Sequence, residues 1–280
     1  MQKLFYAPAK INLCLHVLGR LPNGYHELAM AMQRVDLFDA ITISLSKQRG
    51  IRVQCSGLEL PDDGENIAAR AAQLLLDEVA CEIGVEIKIE KNIPVAAGLG
   101  GGSSDAATVL LGLSEMLKAE VSRRRLLELG SQLGSDVPFF IFGQPAWATG
   151  TGIRLEPLPV LPDVAYLLVN PGIAVSTAEV YRSLQLTKGG ELANLPRFSV
   201  VTRKDLCCAL CNDLERVTLN RIPLIAEIKQ RLVGLGALGA LMSGSGSTVF
   251  GVYPDYAAAE DAARHLAAEN LWFVQPVRPI

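Results

Sequence analysis

The stretch PVAAGLGGGSSDAATVL at residues 94–110 constrains this chain more than any other. It gathers Gly98, Gly100, Gly101 and Gly102 into one short loop, then sets Ser103 and Ser104 ahead of helix formers that begin at Ala106. Glycine lacks Cβ, so such a loop can curl tightly and turn successive N–H groups toward one point. Ser103 and Ser104 are favoured N-cap residues for the helix that follows, whose N-terminus carries partial positive charge. A curled loop feeding a helix N-terminus is a site for a polyphosphate. A flexible linker of similar composition would not stand between a strand and an apolar helix. Nucleotide-dependent chemistry is the expectation.

The chain's 280 residues suffice for one large domain or two smaller ones, and half of them are hydrophobic, so a sizeable core can form. Lys and Arg number 26 against 29 Asp and Glu, a formal charge of −3. No basic excess is present, which argues against nucleic acid as a partner. The run Arg123–Arg125 reads as a solvated helix face. Of the six cysteines (Cys14, Cys55, Cys81, Cys207, Cys208 and Cys211), Cys208 and Cys211 form a lone CxxC. No second Cys or His pair completes a zinc set, and DLCCALCNDLE reads as a helix with its cysteines on the apolar side. Reduced, buried thiols are expected there. With no apolar leader segment and no run of membrane-spanning length, the expected setting is soluble and cytoplasmic, with no membrane partner.

Along the chain, Leu4–Tyr6 and Ile11–Val17 read as strands on either side of a bend at Pro8. Ala40–Leu45 and Ile51–Gln54 read as a strand pair across a polar turn, Asn66–Val79 as a helix, and Val85–Glu90 as a half-buried strand. Helices are expected after the glycine loop to about Leu117 and over Arg123–Leu133. The proline-rich segment 145–162 is the best boundary, dividing the chain into 1–158 and 159–280. Beyond it come a strand at Val164–Val169, a helix at Ser176–Leu184, a polar surface loop over 187–199, and helices at about 203–215 and 223–233. A second glycine stretch follows, then a helix over 256–269 and a strand at Trp272–Val277. Strand pairs and helices mix without strict alternation, so the class is α+β.

The loop is not the usual P-loop, because no lysine follows its glycines as GxxxxGK[ST] demands. A GxGxxG does occur at Gly234, Gly236 and Gly239. It follows a helix and leads into a strand, the reverse of the dinucleotide-binding order, so a dinucleotide-dependent oxidoreductase is disfavoured. Asp136, in GSDVPFF, is a carboxylate set against an apolar run, and burying it unpaired would cost several kcal/mol, roughly. Lys10, in PAKIN and also flanked by apolar residues, is its expected partner. Asn12 shares a strand face with Lys10.

Taken together, PVAAGLGGGSSDAA, the C-terminal MSGSGSTVFG, APAKINLCLHVLGRLPNGYHEL, LGSDVPFF and CNDLE resemble the GHMP kinases, in order and over nearly the whole chain. The N-terminal motif points to the branch of that family whose acceptor is a small molecule linked to cytidine diphosphate. The resemblance implies a ribosomal-protein-S5-like N-terminal domain that binds ATP and an α/β sandwich C-terminal domain. It implies ATP, with Mg²⁺, as phosphoryl donor to an alcohol. Pro94, Val95, Ala96, Ala97, Gly98, Leu99, Gly100, Gly101, Gly102, Ser103 and Ser104 would cradle the phosphates, Ser104 serving Mg²⁺ or a phosphate oxygen. The second glycine loop would support the first. Asn66 and Lys91 would lie near adenine and ribose. Asp136 would accept the hydroxyl proton, with Lys10 holding it ionised and contacting the transferred phosphate. Asn12 would bind the acceptor end. Tyr25 would stack on cytosine and His26 hydrogen-bond its edge, with Tyr181 as second aromatic and Thr177 nearby; the family often has Phe at the Tyr181 position. A homoserine or mevalonate-type acceptor, which carries no base, is the alternative. The assembly is expected to be a monomer or homodimer.

Overall fold

Two long strands open the chain, β1 (Gln2–Arg20) and β2 (His26–Ser46), followed by β3 (Gly50–Gly57), α1 (Ile67–Glu78) and β4 (Gly84–Lys91). Then come α2 (Gly101–Met116), α3 (Arg123–Leu133), α4 (Val137–Phe142), β5 (Ala146–Gly150), β6 (Arg154–Pro157) and β7 (Ala165–Asn170). The remainder is α5 (Thr177–Ser183), α6 (Arg203–Ala209), β8 (Cys211–Asn212), α7 (Glu215–Arg221), α8 (Leu224–Gly234), β9 (Gly239–Met242), β10 (Val249–Tyr253), α9 (Tyr256–Ala267) and β11 (Phe273–Val277). This computed structural model describes residues 1–22, 24–57, 66–184, 198–267 and 272–280. They form two compact units, one of Met1–Ala9, Leu37–Val95 and Gly100–Gly143, the other of Lys10–Asp36, Ala96–Leu99 and Gln144–Ile280.

In the first unit β4 lies between β2 and β3, antiparallel to β2 from Ala40↔Glu90 to Ser46↔Gly84 and parallel to β3 from Gly50↔Gly84 to Gly57↔Lys91. The expected pairing of Ala40–Leu45 with Ile51–Gln54 is therefore wrong. A polar turn between two strands looks local in sequence, but β4 arrives later and inserts between them. Asn66 caps α1 by accepting from Ala68 N at 2.9 Å. Ala68, Ala71, Ala72, Leu75 and Leu76 then bury a single stripe at helical spacing. Along α2 nearly every side chain from Ser104 to Leu113 is buried, and a Cβ at Gly112 would stand 2.9 Å from the Phe5 ring. Arg123 is no idle surface charge, since its guanidinium donates to the carbonyls of Ile141 and Phe142 at the end of α4. Arg125 bridges Glu78 and Glu128.

The bend expected at Pro8 is absent, and β1 runs unbroken through it. Ala7, Ala9, Ile11 and Leu13 all lose their entire accessible surface on one face, and that burial outweighs one missing N–H donor. The opposite face carries Lys10, Asn12, Cys14 and His16. In the second unit β5 pairs antiparallel with the start of β2, β6 with β5, and β8 runs parallel to β1 with Cys14 opposite Cys211. A second sheet, ordered β11-β7-β10-β9, is antiparallel throughout. The sheet buries Tyr166, Phe250 and Val252, and α9 packs against it with Ala259, Ala262 and Leu266 buried. The mixture of antiparallel sheets and helices is α+β.

The helix expected over 203–215 stops at Ala209, because Cys211 and Asn212 leave it to pair with β1. Nor are the cysteines uniformly buried: all are free thiols, Cys14 is buried, and Cys55 and Cys208 are exposed. Residues 185–197, most of the expected surface loop, and 268–271, which include the end of the 256–269 helix, lie outside the described residues. Gly234 ends α8 and Gly239 begins β9, so the GxGxxG has helix before and strand after. No helix among the described residues is long and apolar enough to cross a membrane.

Candidate active site

On the first unit, α2 starts earlier than its serines suggested. Its N-cap is Gly100, left-handed at φ 71°, and Ser104 N already donates to Gly100 O at 2.9 Å. Ser103 and Ser104 therefore lie inside the first turn and cap nothing. The glycine supplies the left-handed turn that serine would adopt only under strain. First-turn N–H groups of a helix lack intrahelical acceptors, and here they sit at the positive end of a helix of 16 residues. A Cβ at Gly101 would stand 3.1 Å from Ile93 and 3.4 Å from Lys91 Nζ, so the backbone packs close over that lysine.

Lys91 is buried and holds two carboxylates, Asp39 and, at 2.6 Å, Asp105. Asp39 also accepts from the backbone N–H groups of Asn92 and Ile93 at 2.6 and 2.9 Å. Burial works against the Lys91 charge, but the two carboxylates outweigh it and raise its pKa. Burial pushes Asp105 up to about 7 despite the pull of Lys91, with Asp39 adding to the rise. Asp39 and Asp105 were not singled out from the sequence; the adjacency of Asp105 to the serines was the available signal. Among the described residues, Ser104 Oγ and Asp105 Oδ1 are buried without a hydrogen-bond partner. A buried hydroxyl and carboxylate oxygen with spare capacity, at a helix N-terminus, fit a magnesium-bearing polyphosphate. Asn66 spends its amide on the α1 cap and on Cys55 Sγ at 3.4 Å. Asp136 is half-buried immediately before α4. Two residues earlier, a Cβ at Gly134 would lie 3.8 Å from Ser103 Oγ, so the GSD turn sits against the glycine loop's helix.

On the second unit, Lys10 Nζ donates to Asn12 Oδ1 at 2.5 Å, both side chains being buried. Asn12 N donates to Ser243 Oγ at 3.2 Å, and Lys10 N to Leu99 O at 3.0 Å, which ties β1 to both glycine loops. Those loops interlock. Ser243 Oγ donates to Gly98 O at 2.9 Å and Thr248 N to Ala97 O at 3.2 Å. Gly98 has φ 78°, and a Cβ there would fall 2.0 Å from Ser243 O. Asn212, visible in the sequence only as part of CNDLE, is buried and donates to the carbonyls of Met242 and Gly244 at 2.8 Å each, fixing the second loop from behind.

The His26 ring stacks on Tyr181, with centroids 4.9 Å apart and planes at 29°. Tyr25, one position earlier, is 61% exposed. Burial, reinforced by the Arg20 charge, lowers the His26 pKa and favours the neutral ring. Thr177 Oγ1 is 2.8 Å from Ser245 Oγ, linking the start of α5 to the second glycine loop. Pro94 and Val95 lead into the loop from the first unit, and Ala96 O accepts from Val175 N at 3.3 Å in the second.

These features define a class. The family model of the GHMP kinases N terminal domain matches residues 66–144, and that of the GHMP kinases C terminal matches 194–271. The chain belongs to the GHMP kinases, which are small-molecule kinases. It is 58% identical, over 99% of its length and 98% of the relative's, to the 4-diphosphocytidyl-2-C-methyl-D-erythritol kinase of Syntrophotalea carbinolica. It also matches a crystal structure of 4-(cytidine 5'-diphospho)-2C-methyl-D-erythritol kinase with TM-score 0.82 and 38% identity, covering 99% of each chain. Within the GHMP kinases it is thus a member of the 4-diphosphocytidyl-2-C-methyl-D-erythritol kinase branch. The homoserine kinase of Cytophaga hutchinsonii, at 17% identity and TM-score 0.71 over 100% of this chain and 97% of that one, shares the fold alone.

Proposed function

We propose that this chain transfers the γ-phosphoryl group of ATP to the 2-hydroxyl of 4-diphosphocytidyl-2-C-methyl-D-erythritol, in non-mevalonate isoprenoid precursor synthesis. The observation that carries this choice of acceptor is the His26–Tyr181 stack, in the unit that also holds Lys10 and Asn12. Homoserine and mevalonate-type acceptors carry no base and would leave this aromatic pair unused.

The backbone N–H groups of Gly98–Ser104 bind the phosphates and orient them. Ser104 Oγ, with Asp105 beside it, would hold Mg²⁺ or a phosphate oxygen. When bound, Mg²⁺ would neutralise charge on the polyphosphate. Asp136 accepts the proton of the attacking hydroxyl as its oxygen bonds to phosphorus and the bond to the ADP oxygen breaks. Lys10 offers its ammonium to the transferred group, while Asn12 orients Lys10 and the acceptor. Tyr181 and His26 receive the cytosine ring, Tyr25 extends the platform, and Thr177 steadies the second glycine loop. Asn66 and Lys91 border the adenosine end. With this reading goes a cytoplasmic enzyme, monomer or homodimer, whose family domains divide near residue 158 in chain order.

The test is a coupled ADP-release assay with the acceptor varied. Asp136→Asn should lower kcat by about 10²–10⁴ while leaving nucleotide affinity close to wild type. His26→Ala and Tyr181→Ala should raise the acceptor KM by roughly 5- to 150-fold, the range for one base stacked on one ring, with the ATP KM unmoved. Preference for an acceptor lacking cytidine would reverse the assignment.

A further inference from the structure

Three soft or borderline ligands converge on the polar face of β1, beyond the residues that serve the acceptor. Cys14 and His16 continue the alternation begun by Lys10 and Asn12, and β8 sets Cys211 directly opposite Cys14 in parallel register. Cys211 Sγ lies 3.3 Å from Cys14 Sγ and 3.3 Å from His16 Nε2. The three donor atoms fall within 4.8 Å of one another. We propose that Cys14, His16 and Cys211 form a binding site for a thiophilic divalent cation, Zn²⁺ being the biologically abundant member of that class.

The spacing suits that ion. Zinc bonds of about 2.3 Å to sulfur and about 2.0 Å to nitrogen, in tetrahedral array, separate the donors by roughly 3.5–3.8 Å. Each pair that stands at 3.3 Å reaches that separation by moving a few tenths of an ångström, within ordinary side-chain adjustment. Asp213 completes the surround without entering it. Its Oδ2 is 3.9 Å from His16 Nδ1 and accepts from Val17 N at 2.8 Å, so a fixed carboxylate backs the imidazole. The carboxylate stands beyond hydrogen-bond distance in this arrangement; on closing to it, it would accept the ring N–H and strengthen His16 as a ligand. Cys14 is buried while His16 and Cys211 are partly exposed, which leaves an entry path and a fourth position for water. Binding would displace the thiol protons to solvent. The CxxC of Cys208 and Cys211 plays no part, since Cys208 is exposed and Cys211 faces β1.

The full chain, reduced and stripped with a chelator, is titrated with Zn²⁺ against a chromophoric competitor and with Cd²⁺ while the thiolate-to-metal absorption is followed. One equivalent should bind with a two-thiolate band. Cys14→Ser and Cys211→Ser should each abolish the band, and Asp213→Asn should weaken affinity by about 10- to 100-fold. Should the serine variants not fold, alkylation of the wild-type chain mapped by mass spectrometry replaces them: bound Zn²⁺ should protect Cys14 and Cys211 and leave Cys55 and Cys208 reactive. No stoichiometric binding, or binding with Cys14 and Cys211 still open to alkylation, overturns the proposal.

Discussion

Lys91 is the residue on which the first unit's interior charge depends. It is a single ammonium between two carboxylates, with side-chain exposures of 3% for Lys91, 0% for Asp39 and 5% for Asp105. Lys91→Met would leave both carboxylates without a counter-charge, and removing one partner from a buried ion network costs about 3–5 kcal/mol. Urea unfolding should show a loss of that size; a loss below about 1 kcal/mol would mean that solvent reaches the cluster. Asp105 gives this network a pH signature. Its pKa rises on folding from 3.8 to about 7, so the folded state prefers the protonated form. The stabilisation is complete below the unfolded value and is given up as pH climbs through about 7. Stability measured from pH 4 to 8 should therefore fall more steeply for the wild type than for Asp105→Asn, and parallel profiles would refute the assignment. Lys91 entered only through the family resemblance, while Lys10 and Asp136 stood out in the sequence as charges flanked by apolar neighbours. Asp39 did not, because nothing near it in the chain reveals that Lys91 lies 52 residues away and within hydrogen-bond reach.

Among the elements, the two glycine loops divide into positions that tolerate a side chain and positions that do not. At Gly98 a methyl group would meet Ser243 O at 2.0 Å on a backbone at φ 78°, whereas at Gly102 the nearest atom is Ile67 Cγ2 at 3.8 Å. Gly98→Ala should lower the melting temperature and weaken ATP binding together. Gly102→Ala, inside a helix, should hold or raise the melting temperature, since alanine exceeds glycine in helix propensity by up to about 1 kcal/mol. Equal effects from the two would show that the loops do not interlock. The helices α1, α3 and α5 were legible from caps and periodicity, with Asn66, Ser122 and Ser176 each accepting from the first turn. The strands were less so. Pro8 suggested a break that tertiary burial overrides, and β8 is a two-residue strand whose only reason to exist is its partner β1. Ser103 and Ser104 suggested a later helix start, because Gly100 as a left-handed cap leaves no side-chain signature.

For the whole molecule, sequence order and packing order differ. Each compact unit is assembled from three separated segments, and β1 and β2 each contribute one end to either unit. The C-terminus is tied in as firmly as the middle, since Ile280 N donates to Arg34 O at 3.1 Å and Gln33 Nε2 to Ile280 O at 3.0 Å. The motif set was readable along the chain because each motif is local. Its convergence was not: Lys10 N donates to Leu99 O and Asn12 N to Ser243 Oγ, pairings that no spacing rule anticipates. The interlocking of Gly98 with Ser243, 145 residues further on, has a temporal consequence. On the ribosome, the first glycine loop emerges early but lacks the scaffold that shapes its leading half until Thr248 has been synthesised. Nucleotide capture should therefore switch on late in translation: stalled nascent chains exposing residues 1–230 should fail to retain ATP, and those exposing the full length should retain it.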